Sequence, residues 1–402
     1  MLVIVYADLP DFLARSAFFG QSLWQYQLKK LGMLGLAPTH LVGRFDSYGL
    51  PASFKPSARK FFQLPTYGQQ ADFDYSQSAL LVNFACPLVK KSSIERLIQE
   101  APDALEETDF VLLSDKSSFF TGIGWVRDLT LIAEKPVSEF VPWANDYFKA
   151  TELTYLSPEE TFRIDTNHDL GRAHLQASEI RKKELEEQGV LFLQPDTCLI
   201  SPDTEIEPET IIYPNCQFFG AVRIGRGCQI GPGAYIANSC IGDQSQVKLS
   251  SMQESHIGRG CSIGPFANLR AGTILRDQVL IGDFVEVKKS EIGRDSKVPH
   301  LSYIGDALIG EMVNIGAGTI TANYDAIRDQ KNVTEIAHGV KVGSNSVLVA
   351  PLKISSGSMI AAGSVISIDV PEPDTLAISR PELKLKPGWV SEQKKKLSEE
   401  SH

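Results

Sequence analysis

An aliphatic residue returns every sixth position through the second half of this chain. The beat falls at Ile200, Ile206, Ile212, Phe218, Ile224, Ile230 and Ile236, then at Ile241 and Val247. It returns at Ile257, Ile263, Leu269, Leu275, Ile281 and Val287, and continues through Ile292, Val298, Ile304, Ile309 and Ile315. A last run holds Ile336, Val342, Leu348, Ile354, Ile360 and Ile366. Glycine often follows the aliphatic residue, as at Gly225, Gly258, Gly282 and Gly316. Proline takes the third place at Pro202, Pro232 and Pro265, and the fifth place is small, as at Thr204, Ala234, Ser296 and Thr319. Neither the helical period nor the simple strand period yields six. An aliphatic corner, a turn former and a small inward residue at that spacing predict a parallel β-helix of hexapeptide repeats. Three hexads make one triangular coil. The period does not set the hand of the coil, and ordinary parallel crossovers are right-handed.

The same frame explains the cysteines. Cys216, Cys228, Cys240 and Cys261 all hold the fifth place, so they read as small core residues. The chain has no CxxC, so neither a zinc site nor a redox pair is expected, and no metal is called for.

Residues three hexads apart stack at about one strand spacing, roughly 4.8 Å. Arg270 and Lys288 then share one corner of neighbouring coils. Stacked cations repel unless an anion lies between them, and a phosphate-bearing ligand is the natural candidate. The alternative is a pair of solvated surface cations. The next coil is one residue short. With that slip Glu286 stacks under Tyr303, and His300 under Ala317. Glu286, Lys288, His300, Tyr303 and Asn314 thus project from a few adjacent turns. A lone histidine is usually a satisfied surface residue. One with acid, cation and amide groups within two coils is a candidate base. The beat also breaks at 322–335, ANYDAIRDQKNVTE, a polar loop on a rigid scaffold, where binding residues often sit.

The stretch 264–325, GPFANLRAGTILRDQVLIGDFVEVKKSEIGRDSKVPHLSYIGDALIGEMVNIGAGTITANYD, carries a close resemblance. It is similar to the acetyltransferase domain of the bifunctional N-acetylglucosamine-1-phosphate uridyltransferase/glucosamine-1-phosphate N-acetyltransferase family. FVEVKK, HLSYIGD, NIGAGTITANYD and AISR occur in order, and the likeness runs on through VGSNSVLVAP and LAISRPELKLKPGW. The resemblance implies a left-handed β-helix, a homotrimer with its site at the subunit junction, and acetyl-CoA as co-substrate. It implies His300 as general base. Arg270, Lys288, Tyr303 and Asn314 would hold glucosamine 1-phosphate. Ala317, Asn323, Tyr324, Ser344, Ala362 and Arg380 would line the acetyl-CoA site. Lys331 stands near a further substrate lysine of the family, in a loop about two residues longer than usual.

The chemistry suits these residues. An ammonium is not a nucleophile, and an imidazole titrates near the pH at which its proton must be removed. Glu286 is the carboxylate expected to orient the ring, as carboxylates do in triads. Asn323 and backbone N–H groups are expected to steady the thioester oxygen as charge develops on it.

The first half reads as a degenerate nucleotidyltransferase-like, Rossmann-like α/β domain over residues 1–168. VIVYA, THLVG and ALLVNFACPLV read as strands, and SLWQYQLKKLGMLG and SSIERLIQEA as helices. The family's glycine-rich phosphate loop is missing, because Ala7 runs directly into Asp8-Leu9-Pro10-Asp11. Asp11 stands where the family has lysine, and a carboxylate there repels a triphosphate. Ala85 stands where the family has a magnesium-binding aspartate, and Asp165 is a remnant of the second metal position. These losses predict that uridyl transfer is gone. A linking helix is expected over 169–189, the β-helix over 190–380 and a charged tail over 381–402.

The expected function is N-acetylation of glucosamine 1-phosphate for UDP-N-acetylglucosamine synthesis, which feeds the cell envelope. The alternatives are a fully bifunctional enzyme, an acetyltransferase for another amino sugar, and a non-catalytic scaffold. A net charge of −10 argues against nucleic acid and anionic membrane as partners. No run of about eighteen apolar residues occurs, and the opening MLVIVYADLPDFL lacks a basic start, so a cytoplasmic protein is expected.

Overall fold

The computed structural model describes residues 164–380 without a break, together with 385–393. Before residue 164 it describes 2–7, 17–18, 21–22, 26, 29–32, 40–43, 79–83, 89, 91–104, 110–114, 120–126, 151–154 and 162. The chain divides into two compact units. One is Met1–Ile224 with Tyr235–Asn238, and the other is Gly225–Ala234 with Ser239–His402.

In the second unit the aliphatic beat forms the inside of a coil. Ile281, Val287, Ile292, Val298, Ile304 and Ile315 are all fully buried. Removing each such side chain from water contributes about 1.5–3 kcal/mol, and the stack repeats this in every turn. Short strands fall into three parallel sheets. The first includes Glu286–Lys288 and Tyr303–Gly305, the second Glu291–Ile292 and Ala307–Ile309, the third Leu280–Asp283 and Lys297–His300. The registers give the expected coil length and its slip. Leu269 pairs Val287, eighteen residues on, whereas Val287 pairs Ile304 and Ile281 pairs Val298, seventeen residues on. Met252, absent from the beat as read above, is buried and pairs Leu269.

Small polar residues at the fifth place are buried and bonded to backbone. Thr273 Oγ1 donates to the Arg270 carbonyl at 2.6 Å, and Ser296 Oγ to that of Gly310 at 2.8 Å. Cys216, Cys228 and Cys261 are buried as expected, and burial pushes the Cys261 thiol up to about 11. Cys240 departs from the expectation. Its hexad is one residue short, so Ser239 takes the inward place and half-buried Cys240 pairs His256 in the strand Cys240–Ile241.

In the first unit, six strands form one mixed sheet. His40–Gly43, Leu2–Ala7 and Ala79–Asn83 run parallel, Phe120–Val126 runs antiparallel to both Ala79–Asn83 and Phe110–Ser114, and Phe110–Ser114 pairs parallel with Thr151–Thr154. Helix α1, Lys91–Ala104, joins the third of these strands to the next in sequence. This is the α/β arrangement expected. Positions 8–11 and Ala85, which carry the argument for lost uridyl transfer, lie outside the described residues, as does most of the helix expected over SLWQYQLKKLGMLG.

Helix α2 spans Asn167–Glu187, where the linking helix was expected two residues later at each end. Thr166 and Asp169 cap it reciprocally, which satisfies its first backbone donors. Asp165, read above as a metal remnant, donates its backbone N–H to Asp169 Oδ2 at 3.3 Å. Ser178 Oγ on α2 accepts from the Ile200 N–H at 2.7 Å, and the buried Lys182 ammonium donates to the Pro195 carbonyl at 2.6 Å. Both bonds seat the helix on the first turns of coil. Among the described residues no helix is long and apolar enough to cross a membrane.

Candidate active site

His300 ends a strand of the third sheet, where the coil turns a corner through Leu301 and Ser302 into Tyr303 of the first sheet. The preceding coil turns the same corner through Asp283, Phe284, Val285 and Glu286. Asp283 and His300 are direct cross-strand partners. The imidazole Nδ1 lies 2.5 Å from Asp283 Oδ1, with both side chains partly open to solvent. The hydrogen bond to His300 holds the Asp283 carboxyl below the usual carboxylate range, helped by a backbone bond.

The carboxylate on the ring is therefore Asp283, not Glu286 as expected above. Glu286 lies beyond the corner, in register with Tyr303, and accepts from Arg270 Nη1 at 2.7 Å. The reason is the pleat. Asp283 and His300 occupy equivalent places on stacked strands, whereas Glu286 faces out from the next sheet.

Beyond that corner the first sheet gathers cations. Arg270 and Lys288 share a corner column, as the eighteen-residue spacing predicts. The segment 322–335 is more than a loop. It forms a hairpin in which Tyr324–Asp325 pairs Gln330–Lys331. The Asp325 carboxylate caps its tip, accepting from the backbone N–H groups of Ile327 at 2.9 Å and Arg328 at 3.2 Å. The hairpin folds Lys331 back onto Lys288. The neighbouring Lys331 lowers the Lys288 ammonium from the ordinary lysine value, and the charge of Arg270 adds to this. Tyr303 lies over Gly305, where an added Cβ would stand 2.4 Å from the Tyr303 hydroxyl, and Gly305 pairs Lys288. Arg270, Lys288, Lys331 and Tyr303 thus belong to one cluster. Asn314 stands apart on the third sheet, exposed and paired with Lys297.

The small residues expected to line a carrier site form a column. The registers of Ile315 with Val342 and of Val342 with Ile360 stack Ala317, Ser344 and Ala362 at one corner. The coils approach closely there, since a Cβ on Gly316 would meet the Ser344 nitrogen at 2.6 Å. The His300 carbonyl accepts from the Gly318 N–H at 3.4 Å, which sets the imidazole one coil below Ala317. Arg380 is exposed beyond the last coil. Asn323 is 7% exposed and donates through Nδ2 to Asp306 at 2.5 Å, so part of its amide anchors the hairpin base. Tyr324 donates its hydroxyl to Asp329 at 3.0 Å. Asp283, Gly305 and Asp306 were missed in the sequence, yet the seventeen-residue slip that relates Glu286 to Tyr303 also relates 283 to 300 and 288 to 305.

An exposed apolar spine runs between base and cations. Leu249, Phe266, Phe284 and Leu301 stand at one corner of four successive coils, 43, 51, 58 and 61% exposed. Each holds a positive φ, sparsely populated for a large side chain. The Phe266 and Phe284 rings stack 5.2 Å apart.

Fold and site together define a hexapeptide-repeat β-helix with a histidine–aspartate pair at one corner and a cluster of Arg270, Lys288 and Lys331 on the sheet that follows it. Over its C-terminal half the chain is similar to proteins named Bifunctional protein GlmU. It is 48% identical over 213 residues to that of Thermotoga maritima, covering 53% of this chain and 47% of the relative. It is 40% identical over 245 residues to that of Carboxydothermus hydrogenoformans, covering 61% of this chain and 54% of the relative. The chain thus spans about half the length of these relatives. The family model described as the GMPPB C-terminal domain matches residues 195–292. Among solved structures, the Francisella novicida UDP-N-acetylglucosamine acyltransferase aligns with a TM-score of 0.35 and 17% identity, over 47% of this chain and 67% of that one.

Proposed function

We propose that the β-helix half transfers the acetyl group of acetyl-CoA to the amino group of glucosamine 1-phosphate, with His300 as general base. One observation carries this reading: an exposed imidazole, already bonded to a carboxylate, ends the strand that turns into Tyr303, whose partner strand Glu286–Lys288 carries the cation cluster. The Arg270, Lys288 and Lys331 charges outnumber Glu286 and Asp306, and a phosphate dianion relieves their repulsion. His300 takes a proton from the sugar ammonium, and the amine attacks the thioester. The column Ala317, Ser344 and Ala362 gives a small-residue track on which the pantetheine arm reaches His300, with Asn323, Tyr324 and Arg380 along it. Asn314, on the third sheet one coil beyond Lys297, is assigned to the sugar in the same reading. The likeness to the bifunctional relatives over this half of the chain supports the reading.

The reading includes loss of uridyl transfer in the first half, a cytoplasmic setting and a partner enzyme that attaches the nucleotide. It is tested by giving the full chain glucosamine 1-phosphate and acetyl-CoA, then UTP and magnesium. Free thiol and pyrophosphate are followed separately. Thiol without pyrophosphate is the expected result. Pyrophosphate release overturns the lost uridyl transfer, and release of neither product favours a non-catalytic scaffold.

The trimer belongs to the same proposal. A second copy covering the Leu249–Leu301 spine buries four large side chains and closes the cleft beside His300. Phe284→Asp places a charge in that contact, which costs several kcal/mol if it is buried unpaired. Sedimentation should show a trimer for the natural chain and smaller species for the variant, with acetyl transfer falling in parallel. An unchanged trimer in the variant puts the interface elsewhere.

A further inference from the structure

We propose that Asp283 is the positioning carboxylate of His300. It accepts the Nδ1–H bond, so the ring proton is held on Nδ1 and Nε2 is left free to take the proton of the sugar ammonium. This rests on the reading of His300 as base and assigns what aims it.

The geometry points to Asp283 on four counts. Its carboxylate is 2.5 Å from Nδ1, and the two residues are register partners in a parallel sheet. The strands beneath them are fixed by fully buried Ile281 and Val298, two residues before each. Beyond His300 the chain is tied back to Asp283, whose carbonyl accepts from the Leu301 N–H at 2.9 Å. The other nearby carboxylate, Glu286, is engaged by Arg270 at 2.7 Å on the far side of the corner. The remaining polar groups on the neighbouring strands do not compete for Nδ1. They are Lys297 on the histidine's own strand and Asn314 on the following one, partners of each other. Ser302 Oγ is committed to the His300 carbonyl at 2.8 Å.

The proton count is complete without another reactant. The ammonium loses one proton to Nε2 and becomes the attacking amine. The N–C bond forms, the nitrogen loses a second proton to water, and the C–S bond breaks. The departing thiolate takes the proton held on Nε2. The products are the amide, the free thiol and one released proton. Through this cycle Asp283 remains ionised and stabilises the transient imidazolium, as the carboxylate does in a triad.

The test uses the full chain with Asp283→Asn, Asp283→Glu, His300→Ala and the Asp283→Asn/His300→Ala double variant. Asp283→Asn should lower kcat on the order of 10²-fold or more, with KM for both substrates nearly unchanged. The acid limb of its pH–rate profile should move to lower pH, because the imidazolium loses its partner. Asp283→Glu should recover part of the rate. The double variant should be no slower than His300→Ala alone, since the two residues act as one unit. A readout independent of turnover is the nitrogen NMR of the His300 ring. The natural chain should show the Nδ1–H tautomer, and Asp283→Asn should lose it. An Asp283→Asn enzyme with full kcat, the same pH profile and the same tautomer overturns the proposal. If the natural chain transfers no acetyl group, the functional reading fails. The tautomer comparison then still decides whether Asp283 orients the ring.

Discussion

His300→Ala is expected to reduce kcat for acetyl transfer by about 10²–10⁴-fold, the usual contribution of a positioned general base. The fold should survive. The His300 side chain is exposed, and its bond to Asp283 is one that solvent can replace. Thermal melting should therefore stay close to that of the natural chain while thiol release nearly stops. KM for the phosphorylated sugar should change little, because the cation cluster lies across the corner. A variant that keeps full turnover removes the base from the account. A variant that melts far earlier shows that His300 is structural.

Gly282→Ala carries the second large effect, on stability and rate together. A Cβ at Gly282 would stand 1.8 Å from the Pro299 carbonyl oxygen, which is backbone and cannot rotate away. The strand Lys297–His300 must move, in a coil whose interior is fully packed. Overpacking of this kind costs about 1–3 kcal/mol. The displacement falls between Ile281 and Asp283, so the bond from Asp283 to the imidazole is lengthened as well. Gly171→Ala is the matched control. It lies in helix α2 with nothing within 4 Å of the added methyl, and should stabilise by up to about 1 kcal/mol. The same substitution thus has opposite signs at two sites. Gly282→Ala with unchanged melting and rate contradicts the close approach of the coils.

Much of the coil was legible because its rule is local. An aliphatic residue every sixth position reports burial at each corner, and Val287, Ile304 and Ile315 are as buried as that rule requires. The cation column was legible for the same reason, since eighteen residues bring Arg270 above Lys288. What escaped was where the rule slips. The seventeen-residue coil relates Asp283 to His300 as it relates Glu286 to Tyr303, so the carboxylate on the ring stands before the corner and not after it. At Cys240 a short hexad turned an inward place outward. The hairpin at 324–331 leaves no periodic trace in the sequence, because its pairing depends on an aspartate cap at the tip. Lys331 therefore looked peripheral, although pairing with Tyr324 returns it to Lys288. No spacing rule predicts Tyr303 lying over Gly305. That contact arises because the absent Cβ at 305 leaves room for a ring.

The central claim is that the cation cluster presents a phosphorylated amino sugar to His300. It is tested most directly by comparing thiol release from acetyl-CoA with glucosamine 1-phosphate and with glucosamine, which lacks the phosphate. Charge-assisted hydrogen bonds from Arg270, Lys288 and Lys331 predict a kcat/KM higher for the phosphorylated sugar on the order of 10²-fold or more. Equal values for the two sugars, or no thiol release with either, would contradict the account.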